Sequence, residues 1–216
     1  ITVPVAGPSG TVRVTTPAGA GVASVASFTY IPAPTVNTQA AGTPGMVPAS
    51  GNEGAAVTIN GTGFSNGAGT SYVQSVKFGD LSVASYTVVS ATQITTTVPI
   101  DAVSKPVTVT TVGGTATSSA AFTVTYPTPT VTGFSPTHGY PGQQVTITGT
   151  GFASASGKPW IAATEFTSTI VGQWRSATFN VLNATTVTAT IPDGAADGVI
   201  RLTNIAGATA LSASFT

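Results

Sequence analysis

The sequence predicts an all-β protein built from serial antiparallel sandwiches, and three observations carry that expectation. First, 25 glycines and 15 prolines punctuate the 216 residues every few positions, and helix signals are nearly missing. Second, the runs between them are short, rich in Val, Ile, Thr, Phe and Tyr, and alternate apolar with small polar residues. That period of two marks a strand with one buried and one wet face. Third, long stretches of the chain are spelled twice, as tandem repeats require.

The elements follow in chain order. "ITVPVAGPSGTVRVTTPAGAGVASVASFTY" (1–30) aligns with "TTTVPIDAVSKPVTVTTVGGTATSSAAFTV" (95–124), with Val3-Pro4 over Val98-Pro99 and Phe28 over Phe122. The first thirty residues are thus the end of a unit whose front is missing. Three strands at most cannot close a two-sheet core, and their edges are an aggregation hazard. Either an upstream part of the native chain completes the unit, or a second copy supplies the missing strands by complementation; the first is the simpler expectation.

The next unit, 32–126, offers "AAVTING" (55–61), "YVQSVKFG" (72–79), "TQITTTVP" (92–99) and "PVTVTTV" (106–112) as strands. Threonine suits their wet faces, since β-branching fits a pleated surface. The last unit, 127–216, repeats the plan: "VTINGTGF" (57–64) returns as "VTITGTGF" (145–152), and "YTVVSATQITTTVP" (86–99) as "FNVLNATTVTATIP" (179–192). Two units of about 90 residues each can bury a small sandwich core. "YIPAPTV" (30–36) and "YPTPTV" (126–131) join them through two prolines each, which fix φ and hold their predecessors extended, as in stiff spacers.

Composition narrows the function. Only 6 % of the chain is charged, six basic residues against six acidic, with net charge zero; about 25 % is usual. At 41 % apolar the chain is expected to pack rather than remain disordered. No basic cluster exists to neutralise phosphates or an anionic membrane surface, and no apolar run approaches the roughly 20 residues of a span. Nucleic acid and membrane insertion are therefore not expected. Without cysteine there are no disulfides or thiolate metal sites. The chain opens on Ile1 rather than an initiator and is expected to be a mature product or a piece of something longer. Few charges, much Thr, Gly and Ala, and no Cys together resemble bacterial surface and secreted proteins.

The ordered set Pro-x-Val, "GFSP", G-x-x-"VTITGTGF", V-x-"FG", S-x-T-x-I-T-x-x-"VP", G-x-V-x-V-x-T-x-x-G and a closing "FT" resembles the IPT/TIG domain, an immunoglobulin-like, early-set β-sandwich. The resemblance covers the whole chain, as a C-terminal remnant (1–31) and two full copies (32–126 and 127–216). It implies a turn after the second strand at Gly61 and Gly63, and at Gly149 and Gly151, with Phe64 and Phe152 re-entering the core. Phe28, Phe122 and Phe215 are expected to anchor each last strand, and Pro99 and Pro192 to end a strand where a missing N–H costs little. The pattern departs in two places. The first full copy has "NTQAAGTPGMVPASGNEG" in place of "GFSP". The second has "TEFT" (164–167) for "KFGD", inside "ASASGKPWIAATEFTSTIVGQWRSATF", which holds both tryptophans.

Candidate chemistry is sparse. His138, in "SPTHGYPG", has no Asp, Glu or Ser pattern to orient it and reads as an exposed turn. Asp193 and Asp197 could offer carboxylates to calcium, but calcium takes six to eight oxygens; they read as a polar turn. Glu53, Asp80, Asp101 and Glu165 are scattered over different turns and show no carboxylate pair across one cleft. Lys77 is placed on a strand as an internal Lys–Asn crosslink would need, yet alternation sets it opposite Val76 and Phe78, so it reads as solvated. Trp160 and Trp174 are the ligand or interface candidates: exposed aromatics stack on sugar rings, whereas core or interface packing is the simpler role for so much apolar area.

The leading expectation is a non-enzymatic, extracellular structural or adhesive protein of a bacterial surface, its sandwiches stacked as a stalk or filament. Its partners would be copies of itself or neighbouring domains of a longer chain, with a glycan as a further candidate and no cofactor or metal. Near-zero charge would let copies pack without repulsion. The alternative, supported by the company that IPT/TIG-like domains keep, is a carbohydrate-binding accessory region of a larger secreted polysaccharide-active enzyme.

Overall fold

The computed structural model describes residues 9–39 and 42–216, all of them in strands, turns and extended loops. The strand end expected at Val3-Pro4 lies outside the described residues. By spatial proximity the chain falls into two compact units. One runs up to Val47 and adds Thr58–Thr96 and Pro106–Ala121; the other holds Pro48–Val57, Thr97–Lys105 and Phe122–Thr216.

Strands β1 (Gly10–Thr16) and β2 (Gly19–Phe28) pair antiparallel as an isolated two-stranded sheet. Here one expectation is corrected. Phe28 does not anchor a core: it is 40 % exposed, with Val12 at 46 % and Val25 fully exposed. Among the described residues β1 and β2 pair with each other and with no further strand, and Val12, Val25 and Phe28 are left exposed.

A first sandwich follows. One sheet runs β3 (Thr35–Val36), β6 (Ala56–Thr62), β10 (Gln93–Thr97), β9 (Tyr86–Ser90), with β4 (Met46–Val47) also on β6. The other runs β5 (Ser50–Gly51), β12 (Gly114–Val124), β11 (Lys105–Thr111), β7 (Val73–Phe78), β8 (Leu81–Ser82). β5 joins β12 in parallel, whereas β9 on β10, β3 and β4 on β6, and β11 and β8 on β7 are antiparallel. Between the sheets lie Val57, Ile59, Phe64, Val76, Phe78, Ile94, Val107, Val109 and Phe122, each at most 1 % exposed.

The second sandwich pairs β13 (Thr130–Ser135), β14 (Gln144–Thr150), β18 (Thr186–Thr190) and β17 (Phe179–Asn183) in one sheet. Its other sheet is β16 (Trp174–Ser176), β15 (Ile161–Ser168), β19 (Ala195–Asn204) and β20 (Thr209–Phe215). β15 and β16 thus form where the sequence departs from the repeat. Val145, Ile147, Phe152, Phe166, Ile200 and Leu202 fill the core, and the Phe215 ring stands edge-on to Phe166, centroids 5.5 Å apart. Outside, threonine hydroxyls meet across strands, Thr35 with Thr62 at 2.8 Å and Thr130 with Thr150 at 2.7 Å. Such hydroxyl pairs give the wet faces polar partners without charge.

The twice-spelled octamer now has a physical reading. A Cβ on Gly61 would fall 1.9 Å from the Thr35 carbonyl oxygen, and on Gly149 1.8 Å from that of Thr130. Only glycine lets the opening strand lie so close. Gly63 and Gly151 take φ of 77° and 75°, the left-handed turn that glycine adopts freely, and it delivers Phe64 and Phe152, both 0 % exposed, to the core.

The one letter that differs is also explained. Asn60, where the other copy has Thr148, is 7 % exposed. Its Nδ2 donates to the Pro44 carbonyl at 2.7 Å and its Oδ1 accepts from Gln93 at 3.2 Å. Gln39 brackets Met46 in the same segment, accepting from its N–H at 2.7 Å and donating to its carbonyl at 3.2 Å. The segment that replaces "GFSP" is therefore tied down by side-chain amides.

Within the unit that holds 97–105 and 122–216, Asp101 (φ 62°) accepts a 2.6 Å hydrogen bond from Ser156, and its N–H donates to Glu53 at 2.8 Å. The Ser156 hydroxyl, then that of Ser154, then Lys158 hold its carboxyl below the ordinary 3.8. A carboxyl with a depressed folded pKa stabilises above its unfolded value, and that contribution is lost as pH falls through the folded one.

Two outcomes are expected. Asn60→Thr leaves the Pro44 carbonyl without its donor, so the denaturant midpoint should drop by the equivalent of about 1–3 kcal/mol. Asp101→Asn keeps a residue that tolerates positive φ but removes the charge. Its thermal midpoint should lie below that of the parent at pH 7, and the gap should close as pH falls below 3.8; a gap constant with pH would refute the assignment.

Candidate functional surface on the second sandwich

The two candidate tryptophans have different fates. Trp160, just before β15, is 8 % exposed, and its ring meets Tyr126 edge-on at 5.8 Å. Its backbone is bonded on both sides, N–H to the Phe152 carbonyl at 2.8 Å and carbonyl to the Ile205 N–H at 2.7 Å. Its area therefore goes into packing. Trp174, opening β16, is half-buried and pairs with Thr167 across the strand boundary.

Alternation decides what surrounds Trp174. Phe166, Ile200 and Leu202 point into the core, so their chain neighbours Glu165, Thr167 and Arg201 face out. Register then aligns them: Ser176 opposite Glu165, Glu165 opposite Arg201, Arg201 opposite Leu211. Arg201 donates to one Glu165 oxygen from Nε at 2.8 Å and from a terminal nitrogen at 2.7 Å. The same guanidinium lies 4.0 Å from the centroid of the Trp174 ring, a cation–π contact worth about 0.5–1 kcal/mol at a partly wet site. Leu211, 55 % exposed, extends the patch on the far side. Thr167 Oγ1 accepts from Val199 N–H at 2.9 Å and donates to its carbonyl at 3.1 Å. It occupies space that a Cβ on Gly198 would enter at 2.3 Å.

With the guanidinium over one face of the indole, a ligand ring can stack only on the other face, with the fixed cation and carboxylate beside it to bond hydroxyls. They are poorly placed to transform a substrate, because the acid and base are consumed by each other. The opposite sheet of this sandwich carries a shallow groove of about 220 Å³ lined by Gln144, Thr178, Phe179, Asn180, Thr188 and Thr190. A depression of about 380 Å³ in the first sandwich is lined by small residues, among them Ser65, Ser71, Ser90 and Thr92, with no charge or aromatic ring.

The remaining candidates stay apart. His138, Asp193, Asp197, Asp80 and Lys77 are exposed. Glu53 and Asp101 do meet, but there Glu53 accepts the backbone N–H of Asp101. Among the described residues no three or more His, Cys, Asp or Glu gather as a metal would need. Among the described residues no helix is long and apolar enough to cross a membrane. Sequence reasoning missed Arg201 as a partner of Trp174. Its outward placement was readable from Ile200 and Leu202 on either side, but the register joining β19 to β15 and β16 was not.

Comparison with known proteins places these sandwiches. The chain matches no curated protein in sequence. Among solved structures it is similar to the surface glycan-binding protein PbSGBP-B from Prevotella bryantii, at 17 % identity over 84 % of this chain and 42 % of that one, TM-score 0.54. It is also similar to a protein crystallised with a xylogluco-oligosaccharide, at 19 % identity over 85 % of this chain and 40 % of that one, TM-score 0.52. The chain thus spans about two-fifths of each, and the likeness is one of fold. The sequence profile of the IPT/TIG domain matches residues 43–126 and again 129–215, so the chain belongs to the IPT/TIG family, of which it carries two tandem copies.

Proposed function

We propose that this chain is a non-catalytic region of a longer, extracellular or cell-surface bacterial protein that captures polysaccharide. Its own contact with glycan lies on the outer face of β15, β16 and β19. The observation that carries this reading is the Trp174–Arg201–Glu165 cluster. On a chain with 6 % charged residues, an outward aromatic against an ion pair in which two guanidinium nitrogens meet one carboxylate oxygen is an unusual concentration of recognition chemistry. The two fold neighbours, one named as a surface glycan-binding protein and the other holding a xylogluco-oligosaccharide, support the class of ligand. A polymer of neutral sugars suits the rest of the surface, where threonine hydroxyls and backbone groups outnumber charges. The single histidine is exposed and the Glu165 carboxylate is occupied by Arg201, which supports a binding role over a catalytic one.

A second reading, in which such sandwiches serve as a stalk or as units of a filament or adhesive array, is favoured by the linkers. Pro127 is held through its carbonyl by Asn204 Nδ2 at 3.0 Å. At the other joint a Cβ on Gly113 would fall 2.3 Å from the Pro32 carbonyl oxygen. Proline segments fastened in this way suit a spacer as well as a binder, and the two roles are compatible in one protein.

Xyloglucan and mixed-linkage glucan are the probes. Affinity electrophoresis and calorimetry should show retention of the parent chain and a loss of about tenfold in affinity, ~1.4 kcal/mol, for Trp174→Ala at unchanged fold. Arg201→Lys, which loses the planar fork, should weaken binding less. Absence of binding to either polymer, or equal binding by Trp174→Ala, would remove the glycan assignment and leave the spacer reading.

A further inference from the structure

The chain contains two Asn-Gly steps, Asn60-Gly61 and Asn66-Gly67. In such a step the backbone nitrogen of the glycine can attack the side-chain amide before it, since no Cβ obstructs the approach. Whether it does so depends on what holds the attacking N–H and the amide.

The fold holds the two steps in opposite ways. Asn60 lies inside β6 and is 7 % exposed. Both ends of its amide are engaged, by Pro44 and by Gln93, and Gly61 N–H donates to the Thr92 carbonyl at 3.0 Å. Nucleophile and leaving group are thus both tied down. Asn66 and Gly67 are exposed, in the loop between β6 and β7, where an isolated bridge pairs Ser65 with Ser71. Asn66 Oδ1 accepts from Ala68 N–H at 2.8 Å and from Thr70 N–H at 3.0 Å. The ring closed by the first of these bonds contains both Asn66 Cγ and the Gly67 nitrogen, so the reacting atoms share one small cycle. Both N–H groups are aimed at the oxygen on which negative charge grows when Cγ is attacked, as donors that stabilise a tetrahedral intermediate must be. Gly67 N–H donates at 3.3 Å to Ser65 Oγ, a weak bond to a group that can take up its proton. Nothing lies within 4 Å of where a Gly67 Cβ would stand, so a five-membered ring has room to form.

The second sandwich shows that the turn itself needs no amide. Ser154 stands 88 residues after Asn66, as the octamers do. Its hydroxyl accepts from Lys158 N–H at 3.0 Å, where Asn66 Oδ1 accepts from Thr70. The backbone bond matches too, Ser154 N–H to the Lys158 carbonyl at 2.9 Å and Asn66 N–H to that of Thr70 at 3.1 Å. A hydroxyl therefore closes the same loop and offers no group that can leave.

We propose that Asn66 is a self-modifying site, at which the Gly67 nitrogen displaces the side-chain amide and a carboxylate takes its place. The bond from Gly67 N to Cγ forms, the Cγ–Nδ2 bond breaks, and ammonia leaves with the proton that Gly67 gives up. Water then opens the cyclic imide. Attack at Cγ restores the backbone as aspartate, and attack at the main-chain carbonyl carries the chain through Cγ as isoaspartate. Water is the one co-reactant. Either product is charged at neutral pH. It adds a negative charge to a chain of net charge zero, beside the uncharged depression lined by Ser65, Gly67, Ser71, Ser90 and Thr92. The site lies on the first sandwich and does not rest on glycan binding by the second.

The test ages the parent chain in mildly alkaline buffer and maps it by peptide mass spectrometry, with an isoaspartate methyltransferase assay alongside. The peptide holding Asn66 should gain the mass difference between an amide and an acid and become a methyl acceptor. The peptide holding Asn60 should change about a hundredfold more slowly, because it must first open out of its strand. In urea the two sites should react at similar rates. Asn66→Ser, which borrows the residue of the second copy, should keep the thermal midpoint and abolish the change. Equal rates at the two sites in the folded chain would overturn the proposal. So would an Asn66 that keeps its amide when folded, under conditions where the unfolded chain loses it.

Discussion

A sheet that is apolar on one side holds together in water only when a second sheet covers that side. This chain meets the condition twice. β6, β10, β11 and β7 face one another across Ile59, Ile94, Val109 and Val76, and β14, β18, β15 and β19 across Ile147, Val187, Phe166 and Ile200. Every other feature follows from keeping those two layers close. The glycines of the octamer let the entering strand touch the next one, and the phenylalanine after them closes the end of the core. Where the condition is not met, in β1–β2, similar local bonds form, and Val12 and Phe28 are left exposed.

With so few charges, the burden of satisfying polar groups falls on neutral side chains. Serine does it at the hairpin bulges, where the hydroxyls of Ser24, Ser118 and Ser212 each accept a strand N–H and donate to a carbonyl. Asparagine does it in loops: Asn60 secures the segment before β6, while Asn204 accepts from the N–H groups of Ala206 and Ala208 and reaches Pro127. These bonds join neutral groups, so salt screens them little. The Arg201–Glu165 pair stands out against this background, and its position beside Trp174 gives the outer face its one chemically distinctive patch among the surfaces described.

Most of the architecture was legible from alternation and repetition. β6, β7, β10 and β11 begin and end within two residues of the runs that announced them, and Phe64, Phe152, Phe122 and Phe215 are buried as their places in the repeat required. Phe28 failed the same argument because pattern specifies which face a side chain takes, while burial depends on a covering layer that the pattern does not supply. Trp174 could not be sorted because it lies where the second copy leaves the template, whereas Trp160 stands 88 residues after Tyr72, as the octamers do, and Tyr72 makes the same two backbone bonds, to Phe64 and from Val112. Glu53 with Asp101, and Glu165 with Arg201, are far apart along the chain. Only strand register and loop packing bring them together, and neither is written in any local window.

The serine bridge has an implication for how such a protein lengthens. Each unit carries its own fastening, within a single hairpin, and borrows nothing from its neighbours to set that bulge. A stretch of gene that encodes one unit can therefore be copied in tandem, and the newcomer arrives with its closing geometry intact. The copies differ on their outer faces, as at Trp174, while the serine clasp recurs, reaching two residues on in two hairpins and one in the last.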